Sequence, residues 1–481
     1  MDKKYLIYLF IILAILLFNP YPFEGGDNVV YSILAKSIVS GQGYASIYEP
    51  DSPPHVHYPP GFPVLLSPLV LIFGLDMAIL KLIPFFSSVL AILIYTRLRM
   101  GDGKTESFAT LFFAVSPIIL VYSSRVLSEI PFTTLLIASI YFHQKKQDII
   151  AWVCSVGALY IRTGGIFLVG GYLVYYLIER DWQRLFLSLL VMVGLYLPWF
   201  IRNRLVSDTP TYMAQFFMVD PYNPAKGGIT LILLLKRLLT NLSFYLFNIL
   251  PGAFCYFLQP VNPILGVFII GLVGIGLFRA GPRLRFLKIL VILFFIGLLS
   301  WPTVWSSDRF LLSGLSLIFP FLVIGIRSLA KSYGRYLIYV LALFSLISAI
   351  IVIPSEVRKK AHFLKGDFEY GYSLDWRRYR QACLWIKRNL PPGIIVSRKP
   401  EFTYLWTGYR SIIFPYSYDA DEVWNGIKGY DYIIIDSFFW SGTSQKYLIP
   451  AILKHIKETK GLYRTRPPDT WVLAIRKTVS Q

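Results

Sequence analysis

The chain of 481 residues is 55% hydrophobic, 17% aromatic and only 15% charged, with a net charge of +20, and its mean hydropathy is +0.56. Soluble domains carry about 25% charged residues, and disordered chains are poor in apolar side chains, so both classes are excluded. The apolar residues come in runs too long for a soluble core, which makes this a polytopic α-helical membrane protein.

The first apolar run, 5–18, follows Lys3 and Lys4, which places the N-terminus in the cytoplasm. A cleaved signal peptide is the rival reading, but the run leads into Asn19-Pro20-Tyr21-Pro22-Phe23, with no small-x-small cleavage site. Residues 21–76 form a long external loop carrying Glu24, Asp27, Glu49, Asp51 and Asp76 against a single Lys36. Its stretch 31–38 has helical spacing and reads as an amphipathic helix lying on the membrane. Further spans are expected near 78–96, 106–122, 128–142, 149–161, 165–178, 186–201, 260–278, 287–303, 310–326 and 336–353. With the first run they make about eleven or more spans. The segment 229–250 is apolar but interrupted by Lys236, Arg237 and Asn241. It reads as a re-entrant helix, an interfacial helix or a hidden pair of spans.

Alternation of these spans puts the basic loops on one side. They hold Lys3, Lys4, Arg97, Arg99, Lys104, Lys145, Lys146, Arg180 and Arg184, then Arg279, Arg283, Arg285, Lys288, Arg327, Lys331 and Arg335. Sixteen basic residues against six acidic ones is the positive-inside pattern of a cell-membrane protein, not the stripe of a nucleic-acid binder. Past Pro354 the composition changes: residues 355–481 carry 21 Lys/Arg and 12 Asp/Glu and no spanning run. Helices are expected over 375–390, 422–428 and 444–460, and strands over 394–396, 431–436 and 471–475. This alternation implies a C-terminal soluble α/β domain on the extracytoplasmic side. The domains are thus 1–354, membrane-embedded and catalytic, and 355–481. The basic excess of the second suits anionic lipid headgroups or an anionic glycan, or serves solubility alone.

Cys154, Cys255 and Cys383 form no CxxC pair, and HExxH, Walker A and GxGxxG motifs are missing from the sequence. A disulfide framework, a zincin and direct nucleotide binding are therefore disfavoured. The ionisable residues gather at the external ends of spans: Asp27, Arg125, Glu129, Arg162, Arg202, Arg204, Asp308 and Arg309. A transporter would place them near the bilayer midplane; an active site at the outer membrane surface fits better. Asp27 in Gly26-Asp27-Asn28 is either the N-cap of the following helix or a catalytic base or metal ligand. Arg125 and Glu129 are spaced for an i,i+4 ion pair. His55-Val56-His57-Tyr58-Pro59-Pro60 is a rigid loop whose histidines suit phosphate or metal. Arg162-Thr163-Gly164 sets a guanidinium, whose planar fork suits phosphate, beside a flexible turn. Arg202 and Arg204 follow Pro198-Trp199 at a membrane edge, where snorkelling is the plain alternative.

Taken together, these motifs resemble the GT-C glycosyltransferases that use polyprenyl-phosphate sugars, in particular protein O-mannosyltransferases and the aminoarabinose transferases of lipid A. The matching residues are Gly26-Asp27-Asn28, Tyr58-Pro59-Pro60, Glu129-Ile130-Pro131-Phe132-Thr133, Arg162-Thr163-Gly164, Pro198 to Asn203, and Arg309-Phe310-Leu311. In the tail they are Trp385 to Gly393 and Ser397-Arg398-Lys399-Pro400. The departures are Tyr58 where aminoarabinose transferases have Lys, Glu129 where they have Asp, and Asn28 where mannosyltransferases have a second acid. These leave the donor sugar open.

The resemblance implies inverting sugar transfer to an extracytoplasmic protein, lipid or glycan. Asp27 would be the general base and Glu129 the second catalytic acid, orienting the acceptor or holding a cation in place. Arg162, His57, Tyr58 and Arg309 would meet the donor phosphate, and Arg125, Arg202 and His55 the substrates. No cofactor is assigned; a divalent cation stays open, although no DxD triplet follows the first span. The alternatives are a flippase for lipid-linked sugars, another secondary transporter, or a non-catalytic scaffold.

Overall fold

A computed structural model describes residues 2–21, 26–207, 212–255, 262–330, 333–440 and 442–476. Glu24 and Lys331 lie outside the described residues. The chain is mostly helical up to Leu364, and a five-stranded sheet with flanking helices follows.

Among the described residues five helices are long and apolar enough to cross a bilayer: Met77–Tyr95, Trp182–Val206, Leu231–Phe254, Asp308–Ala330 and Gly334–Leu364. The pair Pro263–Arg279 and Pro282–Ser300, bent by 118°, adds a sixth if it counts as one broken span. Other expected spans fall on shorter helices, such as Lys3–Leu17, Gly103–Val115, Glu129–Gln144 and Asp148–Ile161. At 1.5 Å per residue these are about 20–24 Å long, less than the roughly 30 Å hydrocarbon core. A count of eleven therefore does not follow from helix length.

The Asp308–Ala330 helix is the centre of the bundle, with most of its residues buried, whereas Trp182–Val206 buries only Ser188 and Met192 and its apolar side chains face outward. The centre is packed through glycine. A Cβ on Gly276 would stand 1.8 Å from the carbonyl oxygen of Phe321, and one on Gly325 would stand 1.9 Å from that of Leu272. Only a missing side chain lets the two helices approach so closely. The ambiguous segment becomes one helix to Phe254. Two of its interrupting residues are satisfied by backbone: Arg237 Nη1 donates to Phe216 O at 2.8 Å, and Asn241 Nδ2 donates to Leu299 O and Trp301 O at 2.7 Å, while Lys236 is exposed.

Two expectations for the first loop need correction. Most residues of the Asn28–Val39 helix are buried within the protein, so it has no free apolar face to lay on lipid. It packs between the Gly61–Phe73 helix and the Pro400–Thr407 helix of the C-terminal region. Gly61–Phe73 is itself an apolar helix inside what reads as loop, with Leu71, Ile72 and Phe73 exposed.

The sheet has strands β1 (Ile395–Val396), β2 (Ser411–Ile412), β3 (Tyr432–Ile435), β4 (Thr459–Arg464) and β5 (Trp471–Ile475). Their order is β2-β1-β3-β5-β4. The first three are mutually parallel, and β5 pairs antiparallel with β3 and β4. The helix expected over 444–460 ends at Lys454, and Thr459 opens β4. That edge strand is mostly solvent-facing, so no buried alternation marks it in the sequence. The expected domain boundary at 354 falls inside Gly334–Leu364, which runs on through Pro354. The first loop docks on the sheet edge, where Ser411 N donates to Tyr48 O at 2.7 Å.

Candidate active site

Asp27 occupies the N-cap position of Asn28–Val39, yet its side chain makes no capping hydrogen bond. The carboxylate turns the other way. Tyr58 Oη donates to Oδ1 at 2.9 Å, and Arg309 Nη1 stands 3.0 Å from Oδ2. A cap that leaves the helix N–H groups unserved forgoes about 1 kcal/mol, and the charged contacts replace it. Burial pushes the Asp27 carboxyl up, but Arg309, the Tyr58 hydroxyl and Arg162 outweigh it, so the group sits below the usual carboxylate range.

Arg309 opens the central helix, and its Nε also stands 3.5 Å from Glu129 Oε1. Glu129 begins the Glu129–Gln144 helix and is 2% exposed. Arg162 Nη1 donates to the same Oε1 at 2.7 Å and to Ser128 Oγ at 3.1 Å. Both guanidiniums lie 4.9 Å from the centroid of the Phe310 ring. Arg162 reaches Glu129 because its backbone is extended where the Asp148–Ile161 helix ends. The chain then folds back so tightly that a Cβ on Gly165 would stand 2.4 Å from Leu159 backbone. Asp27, Arg309, Glu129 and Arg162 thus form one chain of alternating charge. The other oxygen, Glu129 Oε2, is buried and has no hydrogen-bond partner among the described residues.

The histidines differ from the arginines. Tyr58 N donates to His55 Nε2 at 3.0 Å, so the ring proton is on Nδ1, 3.0 Å from Ser46 Oγ. Burial pushes the His55 imidazole down to about 3, helped by His57 and Arg202. Burial likewise lowers His57 to about 4 against the pull of Asp27. Both rings are therefore neutral near pH 7. Arg202 is anchored in the first loop: Nη2 donates to Tyr44 O at 2.9 Å, Nη1 donates to His55 O, and Trp199 lies beneath at 5.0 Å. Arg125 stacks on the Tyr122 ring at 4.6 Å and does not line the cavity that holds the other residues. It is not part of a helix with Glu129, so the i,i+4 pair suggested by their spacing gives way to the partners above.

That cavity has a volume of about 740 Å³. Its lining includes the apolar side chains Phe132, Phe167, Phe294, Leu298, Trp301 and Trp305. It also includes Asp27, His57, Tyr58, Glu129, Arg162 and Arg309. The C-terminal region adds Arg398, Lys399, Pro400, Glu401 and Tyr416. These last residues were not among the expected site residues. A signal was present, since Arg398 and Lys399 follow β1 after a single residue, Ser397, and the carboxyl ends of parallel strands are where α/β sheets bind ligands. Among the described residues, no group of three His, Cys, Asp or Glu side chains is arranged to hold a metal ion.

No family model and no curated protein sequence matches the chain. Solved structures do match. ArnT from Cupriavidus metallidurans bound to undecaprenyl phosphate aligns with a TM-score of 0.61 and 13% identity, over 100% of this chain and 99% of that one. The apo state of the same enzyme gives 0.57 and 14%, over 98% and 97%. The Archaeoglobus fulgidus oligosaccharyltransferase, in complex with Zn and sulfate, gives 0.53 and 14%, over 98% and 73%. The chain shares the fold of these neighbours, which are GT-C glycosyltransferases. The GT-C likeness spans the membrane helices and the C-terminal sheet alike, since ArnT is covered nearly end to end.

Proposed function

We propose that the chain is an integral-membrane glycosyltransferase that moves a sugar from a polyprenyl-phosphate donor to a hydroxyl of an extracytoplasmic protein, lipid or glycan. The observation that carries this reading is the Asp27 carboxylate, turned away from its helix, kept ionised, and set on a cavity lined by both apolar side chains and paired charges that include two guanidiniums. Such a cavity suits a lipid tail and a sugar phosphate side by side. ArnT, an aminoarabinose transferase of the same fold, was solved with undecaprenyl phosphate bound.

In the proposed reaction the acceptor hydroxyl gives its proton to Asp27 as its oxygen attacks the anomeric carbon. The bond from that carbon to the phosphate oxygen breaks, and the electron pair leaves with polyprenyl phosphate. Attack opposite the leaving group inverts the configuration. Arg162 and Arg309 take up the charge that develops on the phosphate. As the phosphate draws Arg309 away, Asp27 loses its strongest partner and becomes more basic when a base is required. Tyr58 aims the carboxylate. Glu129 holds both guanidiniums and offers its second oxygen to a ligand hydroxyl. His57 serves as a neutral hydrogen-bonding group, while His55 and Arg202 shape the loop that carries it. The basic loops face the cytoplasm, and the cavity and sheet lie on the opposite side.

The test is release of polyprenyl phosphate from a panel of polyprenyl-phosphate sugars by the purified chain in proteoliposomes. Wild type is expected to release it, and Asp27→Asn to lose at least about 10³-fold in rate while remaining folded. Full activity of the variant would remove the base; movement of intact lipid without release would favour a flippase.

A further inference from the structure

The four charges at the centre of the site cancel: Asp27 and Glu129 against Arg162 and Arg309. A donor phosphodiester brings one negative charge, and the phosphomonoester that leaves carries up to two near neutral pH. The membrane helices therefore supply no net positive charge for the group that gains charge in the reaction. A further cation must come from elsewhere in the cavity lining.

The C-terminal region places two there, and they differ in freedom. Arg398 is locked: it is 5% exposed, its Nε donates to Thr443 Oγ1 at 2.6 Å, and Tyr222, Tyr416 and Trp440 lie around its guanidinium at 5.4–5.6 Å. Lys399 is held loosely. Its ammonium is 3.6 Å from Glu401 Oε1, beyond hydrogen-bond length, and 5.2 Å from the Trp440 ring. Its main chain is fixed: Lys399 O accepts from Thr403 N at 3.0 Å and from Tyr379 Oη at 3.3 Å. A fixed backbone with a flexible four-carbon stem delivers a movable point charge. Its charge already acts on the Asp27 carboxyl.

We propose that Lys399 is the third cation of the donor site, moving from Glu401 to the phosphate of the polyprenyl-phosphate donor and holding the phosphate more strongly as it leaves. The proposal rests on the transferase reading for its role in turnover, but the phosphate site itself does not. It makes the C-terminal region part of the active site, not an appended module.

The experiment measures binding of undecaprenyl phosphate, and of the uncharged polyprenol, to the full chain in detergent, alongside the turnover assay. Lys399→Gln is expected to weaken undecaprenyl phosphate binding about tenfold or more, as loss of a charged hydrogen bond does. Polyprenol binding should be unchanged, and Lys399→Arg should recover most of the loss. Glu401→Gln, which releases the ammonium, should bind the phosphate as tightly as wild type or tighter. Binding by Lys399→Gln within twofold of wild type, or equal weakening by Glu401→Gln, overturns the proposal. If no donor is ever turned over but the binding pattern holds, the phosphate site stands and the transferase reading falls.

Discussion

Arg309→Gln is the substitution that separates a working ion-pair chain from a decorative one. Arg309 stands 3.0 Å from Asp27 and 3.5 Å from Glu129. Removing it leaves two carboxylates facing one cavity with Arg162 alone between them. Truncating one partner of a buried pair costs 3–5 kcal/mol, but about a fifth of each of Asp27 and Arg309 is exposed. Solvent screening brings the cost to roughly 1.5–3 kcal/mol, within reach of a folded protein. The catalytic loss should be larger, about 10²–10³ in the rate of polyprenyl phosphate release, the usual effect of removing one group that stabilises an oxyanion. The pH profile gives an independent reading. With Arg309 present the Asp27 carboxyl lies below its ordinary range, so the acid limb of the rate lies below the usual carboxylate range as well. Without it, burial is opposed less strongly and the limb moves up. Arg309→Lys keeps the charge but cannot reach both carboxylates, so it should recover only part of the rate. Turnover within threefold of wild type and an unmoved acid limb for Arg309→Gln would refute the reasoning.

Four further outcomes are expected. Tyr58→Phe removes the hydroxyl that donates to Asp27 at 2.9 Å and should slow release about five- to tenfold, with a small rise of the acid limb, both read from a pH–rate series. Arg202→Ala should act on stability instead: the guanidinium's two backbone acceptors lose their donor, lowering the unfolding midpoint by a few degrees with little change in donor affinity. His57→Asn should keep most activity, and the wild-type rate should show no inflection near pH 6.5, since burial keeps His57 neutral down to about 4; a limb at 6.5 would assign the cationic form a role. His55 gives a stability signature. Its folded value is about 3 against about 6.5 unfolded, so its contribution is complete above pH 6.5. It should fade as pH falls from 6.5 toward 3, by up to about 5 kcal/mol, and His55→Gln should flatten that slope in thermal melts.

The local parts of this account are legible in the sequence and the long-range parts are not. Strands at Ile395–Val396, Tyr432–Ile435 and Trp471–Ile475 sit where short apolar runs flanked by polar residues place them. The polar strand Thr459–Arg464 carries no such signal. Asn28–Val39 reads as amphipathic because Lys36 and the serines interrupt its apolar face. Those residues are accommodated inside the protein: Lys36 stacks on Tyr404 at 5.5 Å, and Ser32 and Ser37 bond to backbone carbonyls. Asp27, Glu129, Arg162 and Arg309 can be picked out as charges at the ends of apolar runs. Their pairing cannot: Arg162 lies 33 residues from Glu129 in sequence, and the nearer Arg125 is drawn to an aromatic ring instead. The approach of Lys399 to the same cavity depends on how the sheet seats on the first loop, which no local pattern encodes.

The most direct measurement is an experimental structure of the Asp27→Asn variant with an intact polyprenyl-phosphate sugar trapped in the membrane. The anomeric carbon is expected to face the side chain at position 27, with the phosphate within about 3 Å of the guanidinium nitrogens of Arg162 and Arg309 and the lipid against Phe167, Phe294 and Trp301. A donor seated elsewhere, with position 27 still bonded to Tyr58 and Arg309 and no sugar in reach, would contradict that expectation.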